Sequence, residues 1–195
     1  MSTYTIPNVI DRRPDGERIT DVYSHLLSER VVYLGTAVDA GVANAIVGQL
    51  LFLASDNADA EVQLYINCEG GDPSAALAIY DTMRFIRPAV ATTCVGQAVA
   101  VGALLLAGGA AGRRAALPHS RVVLHQPAAQ GRGAIPDLIL QADEVIRVRA
   151  QMEEILARHT GRAAEQLRRD TDHDRVFTPA AAVDYGLIDE VLEER

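Results

Sequence analysis

Apolar and polar residues switch between two periods along this chain, and the switches mark its elements. Residues 1 to 18 show weak periodicity and carry Pro7, Pro14 and Gly16, so they read as a terminus without a packed element. Asp21 can cap a short helix to Arg30, and Val31 to Leu34 is a buried strand. Asp39 can cap a long helix with Val42, Ile46, Leu50 and Leu53 on one face. Val62 to Ile66 is a strand. Asp72-Pro73 then supplies an N-cap with proline at the first helical position, opening a helix to about Ile86. Ala91 to Val95 and Arg121 to Leu124 are further strands. Pro136 to Thr160 is the clearest helix, with Leu138, Ala142, Val145, Met152 and Leu156 as its apolar stripe. Asp143–Arg147 and Glu154–Arg158 stand at i,i+4, each pair contributing about a few tenths of a kcal/mol. Gly161 stops that helix. Thr178-Pro179 opens a last short one, which Gly186 closes. Helices that repeatedly follow strands indicate parallel βαβ units, hence an α/β chain.

Composition narrows the function more than the fold. With 195 residues, 49% of them hydrophobic, one domain with a sizeable core is expected. A net charge of -8 argues against a nucleic-acid surface, which needs a basic patch. No apolar run approaches the roughly 18 residues of a membrane span. Residues 1 to 20 are polar and lack the apolar core of a secretory signal. Cys68 and Cys94 have no metal-ligand spacing and read as reduced thiols of a cytosolic protein. All 18 basic residues are Arg. The absence of Lys excludes Ser–Lys dyads, Schiff-base chemistry and a phosphate-binding P-loop lysine. Any nucleotide used with this chain must be bound by another polypeptide.

The chemistry gathers around Thr92-Thr93-Cys94-Val95-Gly96-Gln97-Ala98-Val99-Ala100-Val101-Gly102. A β-rich segment ends in a glycine, a tight turn follows, and a helix of small apolar residues begins. Such a turn lifts one side chain to a helix N-terminus, where backbone N–H groups favour developing negative charge. The residue there is Ala100, which can neither attack a carbonyl nor move a proton. His125 ends a strand, where its imidazole can face a neighbouring helix N-terminus. Asp170, Asp172 and Asp174 lie in one charged run, and spacing does not separate them as partners for a histidine. Gly70-Gly71 follows a strand and precedes the cap Asp72, where the chain can pass close to a substrate without a side chain.

Several segments resemble ClpP, the proteolytic subunit of the Clp ATP-dependent proteases, from about Ile6 to the C-terminus. They are Tyr23-Ser24-His25-Leu26-Leu27-Ser28-Glu29-Arg30, Leu64-Tyr65-Ile66-Asn67 with Gly70-Gly71, Ile79-Tyr80-Asp81-Thr82-Met83 and Gly96-Gln97-Ala98. Later come Leu117-Pro118, Ser120-Arg121, His125-Gln126-Pro127, His159-Thr160-Gly161, Arg169-Asp170-Thr171 with Asp174, and Tyr185-Gly186-Leu187-Ile188-Asp189. The resemblance implies a ClpP/crotonase-like fold of stacked βαβ units, residues 21–195 forming one domain. It implies a handle over about 128–160, a hairpin strand plus the long helix, and an N-terminal axial loop over 1–20 anchored by Ile6 and Val9. It makes Ala100 the position of the catalytic serine, His125 the base, Asp174 its orienting carboxylate, and the N–H groups of Gly71 and Val101 the oxyanion donors. None of the six serines is an obvious substitute; Ser74, nearest the glycine pair, sits in the first turn of its helix.

The same resemblance implies two stacked seven-membered rings, homomeric or with a second ClpP paralogue, in the cytoplasm. Unfolded polypeptide would be delivered by a separate AAA+ unfoldase. Ala100 then reads as a deliberate Ser→Ala inactivation; the alternative is a naturally silent paralogue that scaffolds a ring for an active subunit. A crotonase-type acyl-CoA enzyme shares the fold but leaves His125 and Asp174 unexplained. Other departures concern partners. Glu69 replaces a usual Pro. Gln63 and Ala115 stand where the unfoldase docking pocket commonly has aromatic rings, while Tyr65 and Phe85 remain. His173 stands where an Arg commonly makes ring-to-ring ion pairs.

Overall fold

The structure, a computed structural model, describes residues 5–13, 16–126 and 133–193. The first element is a hairpin, where no regular structure was expected. β1 (Asn8–Arg13) pairs antiparallel with β2 (Gly16–Asp21), in register from Asn8 opposite Asp21 to Arg13 opposite Gly16. Ile6, just before the hairpin, and Ile10 and Ile19 within it stay exposed, and no described side chain of the hairpin joins the core.

Local chemistry sets the helix starts. Asp21 accepts from the N–H groups of Tyr23 and Ser24 and opens α1 (Val22–Ser28). Asp39 caps α2 (Ala40–Asp56), whose buried residues are Ala43, Ile46, Leu50 and Leu53; Val42 is only partly buried. Asp72 and Pro73 open α3 (Pro73–Phe85).

Between these helices run parallel strands β3 (Val31–Leu34), β4 (Val62–Cys68), β5 (Val90–Val99), β6 (Arg114–Ala116) and the short β9 (Glu190–Val191), in that order across the sheet. β5 is longer than the hydrophobic pattern suggested. Gly96 does not end it. At φ 95° that glycine bends the strand, and a Cβ there would sit 2.9 Å from Asn67 Oδ1. Before the bend Thr92–Cys94 pair with β6; beyond it Gln97–Val99 pair with β7 (Arg121–Leu124). β7 in turn pairs antiparallel with β8 (Arg175–Phe177). The bent strand thus carries the chain from one part of the sheet to another and delivers Ala100 at its tip.

α4 (Val101–Ala107) follows at once. All seven residues are buried, as befits a helix that is apolar all round. It packs on β5, α3 and α5 (Ile135–Thr160). Gly161 ends α5 at φ 71°. α6 (Ala164–Asp170) and α7 (Pro179–Tyr185, capped by Thr178 and ended by Gly186 at φ 90°) complete the chain.

The stripe expected on α5 holds only in its second half. Met152 and Leu156 are buried together with Val148, whereas Leu138 and Ala142 are exposed and Val145 is half-buried. Among the described residues, the first turns of α5 have no core to lie on. The expected ion pairs are not formed either: Arg147 bonds Glu144 at 2.6 Å rather than Asp143, and Glu154 and Arg158 are not paired. The handle's expected hairpin strand falls largely on residues 127–132, outside the described residues.

Candidate active site

Ala100 is held in a conformation that its side chain disfavours. Its φ is 51° and ψ -106°, and with Arg30 it is one of two described non-glycine residues at positive φ. Such strain persists only where the surroundings over-determine it, and it concentrates at functional sites. Here Ala100 N–H donates to the Val123 carbonyl at 2.8 Å, and its own carbonyl accepts from Leu104 N at 3.1 Å. The turn therefore takes a single residue between β5 and α4. Its methyl, largely covered, faces a cavity of about 170 Å³ lined by Glu69, Gly70, Gly71, Pro73, Ala100, Val101, His125 and Met152.

Two unused donors belong to this wall. Val38 and Gly71 form an isolated parallel bridge, in which Val38 N–H donates to Gly70 O at 2.9 Å and Val38 O accepts from Asp72 N at 2.7 Å. That pattern leaves the N–H of Gly71 outside the ladder, pointing away from Val38. Gly71 has φ 137°, and a Cβ there would lie 2.2 Å from Val38 O and 2.4 Å from Val38 N. Only glycine fits. Val101 is the first residue of α4, whose N-cap Ala100 makes no side-chain cap. Among the described residues neither Gly71 N–H nor Val101 N–H donates to another group. The pair can receive a carbonyl oxygen as its charge grows.

His125 lies one residue beyond β7. Its Nδ1 is 2.7 Å from the Gln126 carbonyl oxygen, which can only accept, so Nδ1 carries the proton and Nε2 is left as the basic nitrogen. The expected His125–Asp174 contact is not formed. Leu124 pairs with Arg175, so the next step of the ladder sets His125 beside Asp174, but the Asp174 carboxylate stays exposed to solvent. The Gln126 carbonyl holds the imidazole N–H in its place.

The structure does separate the three aspartates that spacing could not. Asp170 accepts from Tyr185 OH at 2.6 Å and pairs with Arg175. Asp172 accepts from Arg149 at 3.1 Å. Asp174 makes no hydrogen bond among the described residues, so of the three it alone has a carboxylate free for His125.

The remaining expected residues are scattered. Ser74 does not line the cavity. Gln97 accepts from Arg121 at 2.8 Å. His173 is exposed. Tyr65 pairs with Thr93, and Thr93 with Ala115, so these stand in one row across β4, β5 and β6. Gln63, one pleat before Tyr65 on the same half-buried face, donates to Glu61 at 2.5 Å. Ala115 is only 5% exposed and offers no surface in the single chain, whereas Phe85 is 84% exposed at the end of α3. Cys68 and Cys94 are free and buried, and burial pushes the Cys94 thiol up to about 11, away from nucleophilic use. Met152 and Glu69 line the cavity without having been singled out for it. Met152 was legible only as a core residue of a helix, and Glu69 only as a departure from a family pattern.

A family model described as Clp protease matches residues 14–195. The chain belongs to the Clp protease family. Its mixed α/β architecture is the one expected for a ClpP-like chain. It is 68% identical, over the full length of both chains, to a protein of Nocardia farcinica named ATP-dependent Clp protease proteolytic subunit 1. It is 57% identical to proteolytic subunit 4 of Rhodococcus jostii, over 98% of this chain and 99% of that one. It is 55% identical to proteolytic subunit 2 of Streptomyces avermitilis, over 100% and 98%. Among the described residues, no helix of this Clp protease chain is long and apolar enough to cross a membrane.

Proposed function

We propose that this chain is a proteolytic-type subunit of an ATP-dependent Clp serine protease, and that with Ala100 at the nucleophile position it binds unfolded polypeptide without cleaving it. The observation that carries the reading is the strained turn at Ala100. It presents a side chain to a cavity shared with His125 and with the idle N–H groups of Gly71 and Val101. Acyl transfer needs a hydroxyl, a base, a carboxylate to orient that base, and oxyanion donors. In this reading all but the hydroxyl remain, and Asp174 replaces the Gln126 carbonyl as partner of His125 Nδ1 when the imidazole rotates about its side-chain bonds toward the residue opposite it. The substrate is an extended chain delivered by a separate AAA+ unfoldase that binds the ATP, so this subunit needs no cofactor of its own.

The subunit works in the cytoplasm within two stacked seven-membered rings, in which exposed Ile135, Ile139, Leu140 and Ile146 of α5 are covered. His173 lies at the contact between rings. The methyl at position 100 has two origins: a Ser→Ala change made on an active subunit, or the native residue of a silent ring scaffold. The second gains support from the relatives' names, which number them as subunits 1, 2 and 4 and so fit mixed rings. The codon at position 100 of the gene distinguishes the two.

The test is Ala100→Ser, assembled with any partner subunit it requires and treated with a fluorophosphonate. The expected result is covalent labelling at residue 100 that His125→Ala abolishes, with none in the chain carrying Ala100. A Ser variant in intact rings that takes no label would overturn the assignment.

A further inference from the structure

Gln126, next to His125, and Asp172, two residues before Asp174, are both tied to one side chain on α5. That helix runs exposed through its first turns and meets the domain body at Val148, Met152 and Leu156. Arg149 stands where the contact begins. Its Nε donates to Glu153 Oε1 at 2.7 Å and its Nη1 to Gln126 Oε1 at 2.6 Å. Its Nη2 reaches Asp172 Oδ1 at 3.1 Å and the Arg168 carbonyl at 3.2 Å. Glu153, only 4% exposed, gives its other oxygen to Arg168 Nε and Nη2 at 3.0 and 2.8 Å. Gln126 closes the circuit. Its backbone N–H donates to Thr171 O at 3.1 Å, and its Nε2 to Asp172 O at 3.4 Å.

A buried carboxylate between two arginines gains little net stability, because desolvation offsets much of the attraction. What a fully bonded guanidinium supplies is fixed geometry, since its planar fork loses little freedom per bond made. The groups it grips are well placed for that role. Gln126 adjoins His125, and Asp172 stands two residues before Asp174. We infer that Arg149 is a positioning residue, which sets the spacing between the His125 strand end and the Asp174 loop. The inference rests on the reading of His125 as base and Asp174 as its orienter. Met152, which walls the cavity, lies beside Glu153 on the same turn of α5.

The test uses the Ala100→Ser protein in its assembled form, labelled with a fluorophosphonate over a range of concentrations. Arg149→Gln keeps a polar side chain and removes the fork. Its limiting rate constant of labelling is expected to fall about tenfold, the scale on which small misplacements of reacting groups act. Its half-saturating concentration should change by less than about twofold, since Gly71, Val101 and Met152 are untouched. Arg149→Lys, with charge but no fork, should recover only a small part of the rate. Gln126→Leu cuts one arm while leaving Glu153 paired, and it stands in if Arg149→Gln does not fold; the same split is expected. An unchanged limiting rate in a folded variant overturns the inference, as does a loss confined to half-saturation. If Ala100→Ser itself takes no label, that failure belongs to the proposed function. The clamp is then read in the Ala100 protein, where Arg149→Gln should broaden or split the ring resonances of His125. Resonances identical to those of the parent would overturn it.

Discussion

Gly71→Ala separates the backbone cradle from ordinary glycine turns. At φ 137° an alanine carries backbone strain of about 1–3 kcal/mol. Its Cβ would also lie 2.2 Å from Val38 O and 2.8 Å from Val38 C, far inside contact distance and against backbone that cannot rotate away. The bridge must open, which loses the Val38 N–Gly70 O and Asp72 N–Val38 O hydrogen bonds. At about 0.5–1.5 kcal/mol each, they bring the total to about 2–6 kcal/mol. Gly112→Ala is the control, because it also has positive φ, 73°, but nothing lies within 4 Å of its Cβ. The strain of about 1–2 kcal/mol there is partly offset by the lower entropy of the unfolded chain. The two variants should therefore differ by about 3 kcal/mol. Urea unfolding at one fixed protein concentration reads this directly: with a slope of about 2 kcal/mol/M, the midpoint of Gly71→Ala should fall more than about 1 M below that of Gly112→Ala. Midpoints within about 0.3 M of each other, at equal slopes, would refute the close approach of Gly71 to Val38.

Two further outcomes follow from the geometry. His159, bonded to Tyr80 OH at 2.8 Å, has its pKa pushed down to about 4, first by burial and then by Arg84, Arg114 and Arg158. The folded value lies below the ordinary 6.5, so its contribution to stability is complete above about pH 6.5 and is lost as pH falls toward 4. Urea midpoints across that window should fall less steeply for His159→Gln than for the parent, and parallel curves would refute this. Separately, if the face of Gln63 and Tyr65 is the unfoldase docking pocket that the resemblance implies, Gln63 leaves it short of a ring and homomeric rings should retain the unfoldase poorly. Gln63→Tyr adds an aromatic side chain whose burial stabilises by about 1.5–3 kcal/mol, and should tighten retention about tenfold or more. Equal retention by both proteins in a quantitative pull-down would refute that assignment.

The parts of this fold that local chemistry dictates were legible in the sequence. Asp21, Asp39, Asp72 with Pro73, Thr178, Gly161 and Gly186 start or stop helices where they were expected to, because a cap acts within a few residues of itself. What failed depends on partners distant in the chain. Gly96 reads as a strand end, yet β5 bends there and continues, because β7 takes up its far half. Leu138 and Ala142 fit a buried stripe by period, but burial needs a surface opposite, and the described residues offer none there. Arg149 lies 23 residues from Gln126, so no local pattern shows that they meet. In the site, positions 71, 100, 101 and 125 line one cavity. His125 and Asp174 do not touch, because a rotatable imidazole takes the nearer carbonyl while the carboxylate stays exposed.

The turn at Ala100 also bears on why one atom can switch chemistry here without touching the fold. If the turn alone mattered, glycine would suit φ 51° and ψ -106° better than alanine. The conformation is imposed from outside, by Val123 O on the Ala100 N–H, by Leu104 N on its carbonyl, and by the fully buried α4 that must begin at the next residue. These contacts are all made by the backbone of residue 100, and none by its side chain. The scaffold therefore holds any small side chain at the same place, over the same cavity, at the same cost in strain. On the proposed reading, a hydroxyl added to that methyl would face His125 and the N–H groups of Gly71 and Val101, and its removal would leave those groups where they are. That separation of scaffold from reagent is what a substrate-binding subunit without a nucleophile requires.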